Sequence, residues 1–238
     1  SRQMSFILQI LLMLLTIPSL FAYEQIEVQQ RGIISGVVNY NGVVPKLSPF
    51  KADKDAEYCG KEVENEEILI NEKKQLKNVI VSLVEINKGK KIPDKNSVIS
   101  NHKCLYHPRV QTIVVGNILE IWNEDPVLHN SHGYLNMERT FFNLALPFKG
   151  QKIQRKIKKP GLITVKCDAG HTWMLGFVMA FNHPYSAVSD GNGFFSISDI
   201  PSGTYQIKAW HERFGEETQA VTVTEGKDTP LLFVNLKK

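Results

Sequence analysis

Beyond residue 31 the chain repeats one pattern. A short run of alternating apolar and polar residues is followed by a cluster of Gly, Pro, Asn or Asp. Alternation with period two places successive side chains on opposite faces of an extended strand, and the clusters supply turn chemistry. "GIISGVVNYNGVVP" (Gly32 to Pro45) reads as a hairpin turning at Asn41-Gly42, and "LKNVIVSLVEI" (Leu76 to Ile86) as an apolar strand. Val110 to Asp125 reads as two strands meeting at Gly116-Asn117, and Gly150 to Cys167 as two more meeting at Pro160-Gly161. Further turns fall at Asp190 to Gly193 and at Pro201 to Gly203, and "TQAVTVTEG" closes the series. No long stretch after the first 22 residues has helical periodicity, so the expected class is all-β, built from sandwiches. Two charged stretches, Lys51 to Glu67 and Asn87 to Val98, read as irregular connections, with another break near Asn182 to Ser186.

Residues 1–22 differ in kind. "SFILQILLMLLTIPSLFA" follows Arg2, is apolar over most of its length and ends in a small residue after a helix-breaking Pro18. This is the layout of a secretory signal peptide, and it is short for a membrane span. The mature chain is therefore expected in the periplasm or outside the cell, without a membrane span. The 238 residues are 42% hydrophobic, enough for one large core or two modest ones. A net charge of +4 does not point to nucleic acid, since the densest basic run, Lys149 to Gly161, alternates with apolar residues as a solvated strand face does.

An oxidising compartment tends to pair cysteines, and this chain has three: Cys59, Cys104 and Cys167. Cys167 stands in "KCDAGHTWM", with His171 and Met174 behind it, and is the one whose neighbours suggest another task. Cys59 and Cys104 are then the expected disulfide. Ile163, Val165 and Cys167 share one face of a strand, so the thiol points towards a core. Thiolate and imidazole both suit copper, and a thioether is a poor zinc ligand but a good weak axial ligand for copper. A blue-copper site needs a thiolate, two imidazoles and a distant thioether. The second imidazole is expected from His129 in "NEDPVLHNSHGY", a loop directly after a strand.

At these residues the chain resembles the cupredoxins, the plastocyanin and azurin family. Asn123, Asp125, His129 and Asn130 match that family's Asn-x-Asp-x-x-x-His-Asn loop, and Cys167, His171 and Met174 match its last ligand loop. The His-to-Met interval is similar to that of amicyanin. Ile163 stands where a dinuclear copper centre would need another cysteine, so one copper ion is expected. The resemblance implies His129, Cys167, His171 and Met174 as ligands, Asn130 bracing the two loops, and Trp173 and Pro126 shielding the ion. It implies an electron carrier, not an enzyme, with a redox protein as partner.

Ala187 to Val223 resembles a second family, the carboxypeptidase regulatory-like domain, a small transthyretin-like sandwich. The features are Ser189 to Phe194 and Ile200 to Tyr205. Strands like that family's first ones occur upstream, which suggests a cupredoxin segment, 87–183, inserted into or joined to a sandwich made of 31–86 and 184–238. Three rival readings share these residues. His132 could replace His129. Cys104, His107, Cys167 and His171 could form a zinc site, which would leave Met174 and His129 idle. A nucleophilic Cys-His pair would need an orienting group and an oxyanion hole, to which nothing in the sequence points. A copper-delivery protein, or a structural or carbohydrate-binding module with a vestigial site, remains the alternative in function. His102, His183 and His211 read as surface or core-satisfied residues.

Overall fold

The computed structural model describes residues 22–233, so nearly all of the expected signal peptide lies outside the described residues. In chain order the elements begin with β1 (Glu24–Gln25), β2 (Arg31–Val38), β3 (Phe50–Lys51), α1 (Ala56–Cys59), β4 (Glu62–Val63), β5 (Ile80–Leu83) and β6 (Lys88–Gly89). Then come β7 (Ser97–His102), β8 (Leu105–His107), β9 (Val110–Val114), β10 (Ile118–Asn123), β11 (His129–Leu135), β12 (Arg139–Leu146), β13 (Lys152–Lys156), β14 (Gly161–Cys167) and β15 (Leu175–Phe181). The chain continues through β16 (Ser186–Val188), β17 (Phe194–Pro201), β18 (Gly203–His211), β19 (Gly215–Val223) and β20 (Asp228–Phe233). The protein is all-β, as its periodicity demands.

The strands form two sandwiches. In the first, sheet β13-β10-β7-β8 packs on sheet β12-β11-β14-β15-β9. Ile99, Leu119 and Ile121 from one sheet share a core with Leu135, Phe142, Ile163 and Val165 from the other. In the second sandwich, β16-β5-β18-β19 faces β17-β2-β20, with Ile34, Val81, Leu83, Phe195 and Ile207 in its core. The strands of the first sandwich are consecutive, and those of the second flank them in sequence. Residues 50–63 fall between β2 and β5 yet pack on the first sandwich: Val63 belongs to its core, with Phe50, Ala52 and Cys59 against it.

One local expectation met stronger long-range partners. The hairpin at Asn41-Gly42 does not form. β2 pairs antiparallel with β17 and parallel with β20, and Val43 is 90% exposed. A two-residue turn is a weak local preference, whereas β2 buries Ile34 and Val38 only by joining distant strands. The bends at Gly116-Asn117 and Pro160-Gly161 do form, with φ of 99° at Gly116 and 133° at Gly161. They join strands as expected and carry the chain from one sheet to the other, since β9 and β14 belong to one sheet while β10 and β13 belong to the other.

The two sandwiches touch through a small apolar cluster and one buried ion pair. Phe177 meets Trp210 edge to face, with ring centroids 5.3 Å apart. Arg109 donates from Nε and Nη2 to the Glu212 carboxylate at 2.6 and 2.8 Å, and from Nη1 to the Leu175 carbonyl at 3.3 Å. Both side chains are buried, and burial pushes the Glu212 carboxyl up while the guanidinium holds it down. Arg109→Ala would leave that carboxylate buried and unpaired, a loss of about 3–5 kcal/mol. Chemical denaturation should show it, and Arg109→Met with Glu212→Leu should recover most of the loss.

Candidate metal centre

Two loops at one end of the first sandwich bring the titratable groups together. Asn123 fixes the first. Its Nδ2 donates to the carbonyls of Val127 and Leu146, and its Oδ1 accepts from the Asp125 amide. The chain is thereby turned so that His129 opens β11 with its ring inward. β14 runs antiparallel to β11, with Cys167 opposite Ser131. Alternation along β14 points Ile163, Val165 and Cys167 into the core while Lys166 faces out. The second loop leaves β14 at Asp168, bends at Gly170 (φ 91°), and returns through His171 and Met174 to β15. The Met174 amide donates to the His171 carbonyl, closing the loop.

Three donor atoms converge in this corner. His129 Nδ1 and His171 Nδ1 are 3.1 Å apart, and Cys167 Sγ lies 3.8 Å from the first and 3.4 Å from the second. The point equidistant from the corners of that triangle is about 2.0 Å from each atom, the length of a metal–imidazole bond and roughly 0.3 Å short of a metal–thiolate bond. Both histidines are fully buried, and Cys167 is nearly so. Each imidazole has its far nitrogen on a carboxylate: His129 Nε2 on Asp125 Oδ2 at 2.8 Å, His171 Nε2 on Asp55 Oδ2 at 2.7 Å. A proton held on Nε2 by a carboxylate leaves the Nδ1 lone pair free to face an ion. The donor set therefore fits a single metal ion.

The electrostatics favour deprotonated sulfur. Burial would raise the Cys167 thiol, but contacts with His129, His171 and the amides of Asn130 and Ala169 bring it down to about 6. The Asn130 amide donates to Sγ at 3.4 Å. Burial would lower His129, yet Asp125 and Cys167 together raise it. Asp125 is fully buried and accepts from the Lys103 amide at 2.7 Å, the Cys104 amide at 2.9 Å and the Tyr58 hydroxyl at 2.8 Å. Lys103 and Cys104 both have positive φ, which turns their successive N–H groups onto the carboxylate. Burial pushes Asp125 up, but the hydrogen bonds from His129, the Cys104 amide, Tyr58 and the Lys103 amide prevail and hold it at about 2.

His129, Cys167 and His171 thus meet, and Met174 lies buried in the same core cluster as Cys167 and Trp173. Trp173 is buried, stands edge to face with His171 at 5.4 Å, and donates from Nε1 to the Cys104 carbonyl. Asn130 reaches the sulfur by its backbone, and its side-chain Oδ1 is buried without a hydrogen-bond partner. Pro126 is exposed. Cys59 and Cys104 are joined as a disulfide, which removes Cys104 from the rival zinc set. His132 points away from the centre, bonding Asp168 at 2.6 Å and Thr140 at 2.7 Å. His183 and His211 are buried with Nδ1 accepting a backbone amide, while His102 is at the surface. Reasoning from sequence missed Asp55 and Tyr58, which lie in a charged stretch read as irregular; Cys59, close behind them, was the available signal.

The carboxypeptidase regulatory-like domain profile matches residues 177–237. No curated protein matches the chain in sequence. Among solved structures, a purple cupredoxin from Nitrosopumilus maritimus is similar over 36% of this chain and 99% of its own, at 23% identity and TM-score 0.31. A Cu(I) amicyanin variant is similar over 38% of this chain and 87% of its own, at 19% identity and TM-score 0.33. The Cu-containing nitrite reductase from Thermus scotoductus is similar over 43% of this chain at 19% identity and TM-score 0.33, and this chain spans 25% of its length.

Asp125 has a consequence for acid stability. Its folded value of about 2 lies below the ordinary aspartate value near 4, so its contribution is complete above about pH 4 and lost as pH falls through 2. The contribution is roughly 2–3 kcal/mol. Urea denaturation of the metal-free protein at about pH 5 and about pH 2 should show wild type losing more stability than Asp125→Asn.

Proposed function

We propose that the chain binds one copper ion through His129, Cys167 and His171, with Met174 as a weak axial ligand, and passes single electrons between redox proteins. The observation that carries this reading is the buried triangle of Nδ1, Nδ1 and Sγ. A copper ion there would alternate between its cupric and cuprous states. The protein's part is to keep the surroundings fixed while the charge changes. The two carboxylates orient the rings, the Asn130 amide holds the sulfur, and Trp173 keeps water out. Zinc shares the donor types, but a buried methionine in the same core cluster as the thiolate favours copper. Full burial of both imidazoles favours a retained ion over a delivered one, and hence a carrier over a copper-delivery protein. We read the metal-bearing sandwich, 87–183, as inserted into a regulatory-like sandwich of 31–86 and 184–238. We also read the chain as secreted or periplasmic, on the strength of residues 1–22. No helix among the described residues is long and apolar enough to cross a membrane.

Metal-free protein titrated with Cu(II) should develop one equivalent of an intense visible thiolate-to-copper absorption. Cys167→Ser should abolish it. Met174→Leu should keep the band and raise the reduction potential, since a weak electron donor to the cupric state is removed. Wild-type protein that binds copper without the band, or binds none, would overturn the reading.

A further inference from the structure

The segment Phe50 to Val63 leaves the second sandwich, crosses to the first and lies against the metal centre. Its ends are held together by the β3–β4 pairing of Phe50 with Val63, and Val63 is buried in the metal-bearing core. Between them stands Asp55, whose carboxylate meets His171 Nε2 at 2.7 Å across 116 positions of sequence. Asp55 is also the residue that caps α1, and an aspartate there ordinarily turns its side chain onto the helix's own amides. Here no such cap bond is made and φ is 51°, in the left-handed region. The backbone is strained and the carboxylate is committed to the imidazole, a cost that marks a position where side-chain direction matters.

The cover is close-fitting. A Cβ on Gly170 would stand 3.1 Å from Lys54 Cγ, so the stem of Lys54 lies directly on the ligand loop. Tyr58, one turn after Asp55, donates to Asp125, which holds His129. The next residue, Cys59, is bonded to Cys104, whose amide also serves Asp125 and whose carbonyl accepts from Trp173. Both rings are therefore braced through this one strap, His171 directly and His129 through Asp125. His171 is left with no exposed surface.

Resting on the metal-centre reading above, we propose that the strap is a fixed cover in which Asp55 is a positioning residue for His171. Pinned by Cys59–Cys104, it closes the His171 side of the site, so that metal ions and small reagents exchange only when the strap lifts. Two variants separate the parts. Asp55→Ala removes the carboxylate and keeps the crosslink, and Cys59→Ser with Cys104→Ser frees the strap and keeps the carboxylate.

The first measurement needs no metal. Metal-free protein is treated with diethyl pyrocarbonate and the modified histidines are located by peptide mass. His102, whose side chain is 44% exposed, is the internal standard, and buried His183 and His211 report an intact fold. His171 should be protected in wild type and react about 10-fold faster or more in both variants, on the scale of lost outer-shell support. The second measurement follows Cu(I) loss to a cuprous chelator, expected to be about 10- to 100-fold faster in both variants. Asp55→Asn, which still offers an oxygen to Nε2–H, should restore protection and retention together. Unchanged His171 reactivity in either variant with His183 and His211 still protected would overturn the proposal, as would slow copper loss from both. A wild-type protein that takes up no copper would sink the metal reading alone, and the ring-protection result would still decide whether the strap covers His171.

Discussion

The corner of the protein where chemistry is possible depends on one buried carboxylate. Asp125 sits without solvent contact between a strand end, a turn and a crossing segment, and each of them gives it a hydrogen bond. An ion buried this way is tolerable only when its lone pairs are filled, and here they are filled by two amides, a phenol and an imidazole. The arrangement works in both directions. The partners hold Asp125 ionised, and the ionised carboxylate fixes the His129 tautomer, which sets the direction of the Nδ1 lone pair. Loss of any contributor would be felt at the ring through the group they share.

Much of this was written in the sequence, though unevenly. Period-two alternation made the class legible, and Ile163, Val165 and Cys167 disclosed which face of β14 is internal. Of the ordered set His129, Cys167, His171 and Met174, the first three do gather in one buried corner and Met174 is buried in the same core, because each sits at a strand end or in a short loop whose path is set locally. The odd cysteine count separated Cys167 from the pair Cys59 and Cys104. What could not be read was long-range. Asn41-Gly42 has the chemistry of a tight turn, but the strand before it finds its partners far downstream. Asp55 looked like one charge among many in Lys51 to Glu67, since nothing local says that a carboxylate will meet a ring more than a hundred residues away.

The connection between the sandwiches also reaches the loop from Cys167 to Met174. Arg109 donates to the carbonyl of Leu175, the residue after Met174, while its other nitrogens grip Glu212 in the second sandwich. The loop that carries Cys167, His171 and Met174 is thus bounded on one side by the strap from the N-terminal half and on the other by a contact to the C-terminal half. The regulatory-like module, matched at 177–237, begins in sequence where that loop's return strand is still running.

The interleaved order of strands bears on how such a chain reaches its final form. β2 and β5 are synthesised early, yet their partners β16 to β20 come last. Ser35, for instance, hydrogen-bonds Asp228, 193 positions away. The strands of the first sandwich are contiguous, so its core can close as the chain emerges. β2 waits through that whole interval for its ladder partners β17 and β20. Contacts so distant in sequence are slow to form, and an apolar strand with open edges is prone to the wrong partner while it waits. The segment between β2 and β5 already packs on the first core, and it can tether those waiting strands beside the place where the second core will assemble.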